Sequence, residues 1–147
     1  MAKADALQAK IRGSIPRSEA MQFSIDSLSL DAIRVSAPLA PNINVHGTGF
    51  AGSIYSLAVL TGWALCAHIM AELEIEGELV VGSAGIRYRA PVTGQLICRC
   101  ACSEPQRAAF ADGVDSAGKG RLVLDIEVGE APQALLQATY YEVKRDG

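Results

Sequence analysis

The sequence predicts an α+β domain in which an antiparallel sheet curls around one long, apolar central helix. Three observations lead there. From Phe50 through Ala71 no charged residue appears across 22 positions, and Ala, Leu, Ile and Met dominate without a proline, a composition that favours helix. Much of the remaining chain alternates apolar with polar residues, the pattern of half-buried strands. The links between these runs are short enough for hairpins, which points to antiparallel pairing.

Ala4, Leu7 and Ile11 stand at helical spacing, so Ala4–Arg12 is expected to be a short amphipathic helix. Ser14, with Pro16 in the first turn and Glu19 behind it, predicts the cap of a second helix reaching Met21. Residues 1–22 are then a helical extension to a single domain spanning 1–147. Phe23 and Ile25 alternate with Ser24 and Asp26, and Ile33, Val35 and Ala37 alternate with Arg34 and Ser36. The apolar parity switches between Leu30 and Ile33, which predicts a tight turn at Leu30–Asp31–Ala32. Pro38 and Pro41 close the second strand.

Beyond the long helix, Leu79–Val81 and Ile86–Tyr88 flank Gly82, Ser83 and Gly85, predicting one long strand with a kink or bulge. Pro91-Val92-Thr93-Gly94 is a turn signal, and Gln95–Cys102 is expected to be the partner of that strand. Ser103 and Pro105 predict a short helix near Glu104–Asp112, followed by a loop over Gly113–Gly120. Leu122, Leu124, Ile126 and Val128 alternate with Val123, Asp125 and Glu127 in a clear strand, and a last strand is expected over Ala134–Lys144.

The uncharged stretch also reaches the minimum length for a membrane span. Ser53, Tyr55, Ser56, Thr61 and His68 interrupt it, Gly52 and Gly62 weaken it, and no cluster of Lys or Arg flanks it. A helix apolar on nearly all sides, in a chain whose strands need something to wrap, reads as a core helix. No membrane is therefore expected as a partner.

At 147 residues, half of them hydrophobic, the chain can bury a real core. A net charge of −3 with no basic run gives no electrostatic case for nucleic acid. The opening MAKADALQAKIRGS lacks the continuous apolar region of a secretory signal, so a cytoplasmic location is expected. Cys66, Cys98, Cys100 and Cys102 should then be reduced thiols. The last three alternate along CRCACS and would share one face of a strand. With no CxxC pair and no nearby His they read as small apolar filler, and no metal site is expected.

Two motifs carry a resemblance. N-x-N-x-x-G-T-x-F-A-G-S, here Asn42, Asn44, Gly47, Thr48, Phe50, Ala51, Gly52 and Ser53, stands directly ahead of the apolar helix. I-x-Y-x-x-P-V-x-G, here Ile86, Tyr88, Pro91, Val92 and Gly94, follows it. In this setting the chain resembles hotdog-fold thioesterases. PLAPNINVHGTGFAGSIYSLAVLTGWAL is similar to a thioesterase-like domain that in some bacteria is fused behind an N-acetyltransferase domain, and that is related to malonyl–acyl carrier protein decarboxylases. The resemblance covers Ser18 to Lys144. It implies a hotdog fold and a homodimer or dimer of dimers, joined edge to edge with active sites between subunits. It also implies acyl-CoA or acyl carrier protein thioesters as substrates. No cofactor is implied; coenzyme A or phosphopantetheine arrives as part of the substrate.

A thioester carbonyl gains negative charge when attacked, so its site needs fixed donors. Backbone N–H groups at Ala51, Gly52 and Ser53, at the positive end of the helix, are expected to supply them, with Thr48 and Tyr55 as further substrate contacts. Gly52 is expected to let a ligand approach the backbone closely. By resemblance an acid would stand in the loop, at Asn42, or midway along the helix, near Ala58, Val59 or Leu60. This chain has an amide at the first position and no carboxylate in the helix before Glu72. The expected catalytic residues are therefore Asn42, Asn44 and His46, with Asn42 turned toward the helix start by Pro41 and Ile43. Arg87 and Arg89 are expected to hold the carrier phosphate. An amide orients water or a carbonyl but takes no proton at neutral pH. Thioester hydrolysis is the leading expectation, and two alternatives stay open: malonyl–acyl carrier protein decarboxylation, and a non-catalytic acyl-binding module.

Overall fold

A computed structural model describes residues 2–144. Two helices, α1 (Ala2–Ser14) and α2 (Pro16–Met21), lead into strands β1 (Ser24–Leu28) and β2 (Ala32–Ala37). A 3-10 turn at Ala40–Asn42 precedes α3 (Ala51–Glu72); then come β3 (Glu78–Tyr88), β4 (Leu96–Ala101), α4 (Glu104–Ala117), β5 (Lys119–Val128) and β6 (Ala134–Val143). The six strands form one sheet in the order β1-β2-β4-β5-β6-β3, and each neighbouring pair is antiparallel. α3 packs against β2, β3, β4, β5 and β6. Leu57, Ala58, Ala64, Leu65 and Ile69 are wholly buried, and Leu60 nearly so. Although α3 has the length and hydropathy to cross a membrane, most of it is buried inside the domain. It is the core helix.

Local sequence accounts for most element boundaries. Ser103 Oγ accepts from Gln106 N at 3.2 Å while Gln106 Oε1 accepts from Ser103 N at 2.8 Å, closing a capping box at the start of α4. In the β1–β2 turn Ser29 Oγ accepts from the N–H groups of Asp31 and Ala32. β3 carries the expected irregularity, a register shift between Val81 and Ser83. At Gly82 a Cβ would stand 2.3 Å from Tyr141 Cε2, so only glycine passes that ring.

Three boundaries and one pairing depart from the sequence reading. Ser14 ends α1 instead of capping α2, whose cap position is Ile15 with no side-chain bond. Glu19 pairs with Arg12 at 2.7 Å, and Ser18 Oγ donates to the carbonyls of Ile11 and Ile15; those contacts join the helices in place of a cap. α4 continues through Gly113 to Ala117 and stops at left-handed Gly118. Gly113 fits because a Cβ there would meet Lys119 O at 2.8 Å. β4 pairs with β2 and β5, whereas β3 pairs with β6 at the sheet edge. The turn at Pro91–Gly94 thus carries the chain across the domain, because the antiparallel partner of β3 is supplied by the C-terminal strand.

All four cysteines are free and buried. Cys98 and Cys100 lie in β4, Cys102 stands just past its end instead of within the strand, and Cys100 and Cys102 lie near α3's Cys66. Burial pushes the Cys98 and Cys100 thiols up to about 12, and raises Cys66 and Cys102 as well. A thiol whose folded value lies above its unfolded one contributes stability that is fully present below the unfolded value near 9.0 and is lost as pH rises toward the folded value. Two results are expected. Iodoacetamide at about pH 8 should leave the native protein unmodified while labelling all four thiols in denaturant. The urea midpoint should fall as pH climbs from about 8.5 to 10. Fast labelling of native Cys98 or Cys100 would refute the buried-filler assignment.

Candidate active site

The loop before α3 is built by one asparagine. Asn44 Oδ1 accepts from the N–H groups of His46 (2.9 Å) and Thr48 (3.0 Å), while Nδ2 donates to Thr48 Oγ1 (2.9 Å) and Gly49 O (3.3 Å). An amide suits this position because it presents donors and an acceptor at once. Gly47, at φ +81, makes the turn. Phe50 N then donates to Asn42 O at 2.7 Å, which brings the chain back to the start of α3. Gly49 N donates to Val92 O at 2.7 Å, so the two sequence motifs meet in space.

At the head of α3 the cap residue is Phe50, with no side-chain cap. The N–H groups of Ala51, Gly52 and Ser53 consequently have no acceptor among the described residues. Tyr88, at the end of β3, donates its hydroxyl to Ala51 O at 2.8 Å. Burial raises the Tyr88 phenol, and the adjacent Tyr55 raises it further. The space above Gly52 is taken by the Phe50 ring, since a Cβ there would lie 2.5 Å from Phe50 Cε2. The glycine makes room for that ring, a correction to its expected role of admitting a ligand. Below this head, from Tyr55 to Trp63, a groove of about 280 Å³ runs along α3. Tyr55, Ser56, Val59, Leu60 and Trp63 form its floor, with walls from Ile15, Arg17 and Met21 on one side and Val81 on the other. Larger hollows on the outer sheet face are lined by mixed charges such as Arg34, Arg99, Asp125 and Glu127, remote from the helix head.

The expected site residues are only partly brought together. Thr48, Ala51, Gly52, Ser53 and Tyr55 cluster at the helix head, and His46 lies exposed on the loop beside them. Asn42 is 1% exposed. Its Nδ2 donates to Met21 O (3.0 Å) and Pro38 O (2.8 Å), and its Oδ1 is buried without a partner. The 3-10 turn aims the side chain at α2 and the end of β2, so the expected direction toward the helix start is not what the structure has. Only the Asn42 backbone carbonyl reaches that end. Arg87 and Arg89 are exposed on the outer face, across the strand from Ile86 and Tyr88, and border Asp125 and Glu127. Sequence reasoning missed Tyr88 as a site residue, although it sits in the second motif. It also missed Trp63, whose signal was its spacing of two helical turns below Tyr55.

A sheet wrapped around a helix with an unpaired head and an apolar groove along its side defines a thioesterase-like hotdog-fold protein. Residues 4–142 match the family described as "Putative thioesterase (yiiD_Cterm)", and the chain belongs to that family. It is similar to the solved structure of a putative thioesterase from Shewanella oneidensis, at 32% identity and TM-score 0.88, covering 97% of this chain and 99% of that one. A protein of unknown function from Chlorobaculum tepidum TLS matches at 28% identity and TM-score 0.92, covering 97% and 94%. A thioesterase from Haemophilus influenzae shares the fold at 13% identity and TM-score 0.73, covering 96% and 90%.

Proposed function

We propose that this protein hydrolyses acyl thioesters of coenzyme A or acyl carrier protein at the head of α3. The observation that carries this reading is the set of N–H groups at Ala51, Gly52 and Ser53 without an acceptor among the described residues, followed on the same helix by Tyr55 and Ser56, which line an apolar groove. The thioester oxygen sits on those donors, which favour the negative charge that develops there. Water adds to the carbonyl carbon, the C–S bond breaks, and the acid and the protonated thiol depart. His46 is the group on the loop able to accept the water's proton. Asn44 positions that loop, and Asn42 holds it against α2. Arg87 and Arg89, exposed on the outer face of β3, are the contacts proposed for a carrier phosphate.

Dimerisation is part of this reading. β3 is a long edge strand with one side unpaired. Val80, Val81, Tyr88 and Phe50 near it are exposed, and Val45 at the loop tip is 95% exposed. Edge-to-edge pairing of two copies would cover these residues. One observation favours malonyl–acyl carrier protein decarboxylation instead: among the described residues no carboxylate lines the first turn of α3 or the groove. Carbon dioxide loss needs enolate stabilisation and no water activation.

Mass spectrometry of products from malonyl and medium-chain thioesters on both carriers separates these readings. Hydrolysis is expected to release free acid and thiol from the medium-chain substrate. Acetyl thioester appearing from malonyl thioester would establish decarboxylation. Binding without any product would leave an acyl-binding module.

A further inference from the structure

The groove beside the helix head has a charge that nothing in the described protein neutralises. Arg17 lines it; the side chain is exposed and, among the described residues, in no ion pair or hydrogen bond. It shares that state with Arg87, Arg89 and Arg121 on the outer sheet, whereas Arg12, Arg34, Arg99 and Arg107 are each paired with a carboxylate. The other walls are apolar apart from Tyr55 and Ser56. An unpaired guanidinium on an apolar groove matches a ligand that is a hydrocarbon chain with an anionic group.

Chain direction places that charge. α1 starts at the foot of α3, where Lys3 pairs with Glu72. α2 ends at the 3-10 turn that precedes α3, where Met21 O accepts from Asn42 Nδ2. Arg17 lies one helical turn before Met21, roughly 6 Å back along α2. An acyl chain lying in this groove would bring any anion it carries to Arg17. The cavity, about 280 Å³, is at the small end of ligand pockets and suits one short or medium chain.

We propose that this groove holds the acyl chain of the thioester, and that Arg17 selects chains carrying a carboxylate at their far end. The inference rests on the site assignment above. Trp63 lines the groove and is the single tryptophan of the chain, so its fluorescence reports occupancy without any turnover. The probes are S-octyl-coenzyme A and its counterpart with a terminal carboxylate, titrated into wild type and Arg17→Gln. Both should change Trp63 emission. In wild type the carboxylated probe should bind about fivefold tighter, the scale of an exposed charge pair. That advantage should shrink with added salt and vanish in Arg17→Gln. Equal affinities in wild type, or an advantage that survives the substitution, would overturn the proposal. So would emission that follows protein concentration instead of ligand, because a second copy would then fill the groove. Octanoyl-CoA hydrolysis measured in parallel keeps the two ideas apart. Turnover without an Arg17-dependent preference removes only this inference, and probe binding without turnover removes only the hydrolase.

Discussion

Replacing Asn42 by aspartate is expected to lower the melting temperature by about 10 °C or more at neutral pH, and to create no new acid at the active site. The Asn42 amide donates to two carbonyls, Met21 O and Pro38 O, from a position that is 1% exposed. A carboxylate in its place faces two acceptors and, among the described residues, no donor. An uncompensated buried charge costs about 3–5 kcal/mol, a large fraction of a domain's typical ~5–15 kcal/mol. The introduced carboxyl is held above its ordinary range by burial and by those acceptors. Its penalty is thus absent below the unfolded value of about 3.9 and grows as pH rises through the folded value. Thermal melts of Asn42→Asp from about pH 4 to 8 should show that slope. Asn42→Ala, which loses the same two bonds without adding charge, should be destabilised by about 2–3 kcal/mol with no pH slope of its own. An aspartate variant as stable as wild type at neutral pH, with faster hydrolysis, would mean that the side chain faces the substrate after all.

Gly62→Ala should be the second severe change, lowering the melting temperature by roughly 5–10 °C despite alanine's better helix propensity. A Cβ at position 62 would stand 2.2 Å from Tyr140 Oη and 2.7 Å from Cζ. That ring is fully buried, and its hydroxyl donates to Val59 O on the same helix at 2.7 Å. The ring or the helix must move, and overpacking of this kind costs about 1–3 kcal/mol. The displaced hydroxyl forfeits about 1 kcal/mol more, against about 1 kcal/mol gained in propensity. Removing the hydroxyl should relieve part of the clash, so Gly62→Ala with Tyr140→Phe should be less destabilised than the two single losses sum to. A neutral or stabilised Gly62→Ala in urea titrations would show that Tyr140 does not fill this space.

Much of the fold was legible in the order of residues, for reasons that are local. Twenty-two uncharged positions can only be satisfied away from water, and the period-two alternation of Leu122, Leu124, Ile126 and Val128 can only face one way in a strand. Ser103 and Gln106 cap α4 within one turn of each other. The Asn42-to-Ser53 motif also marked the head of α3 as the place to look. Tertiary structure decided what depends on distant partners. β3 pairs with β6 because the C-terminal strand supplies the edge hydrogen bonds, and nothing in the Pro91–Gly94 turn signals it. Asn42 turns inward because the carbonyls of Met21 and Pro38 lie there. Phe50 covers Gly52, Tyr88 reaches Ala51, and Arg17 comes to line the groove only once the chain has closed on itself. Periodicity and capping are properties of neighbours in sequence. The direction of a side chain, and whether it meets a donor, is settled by elements many residues away.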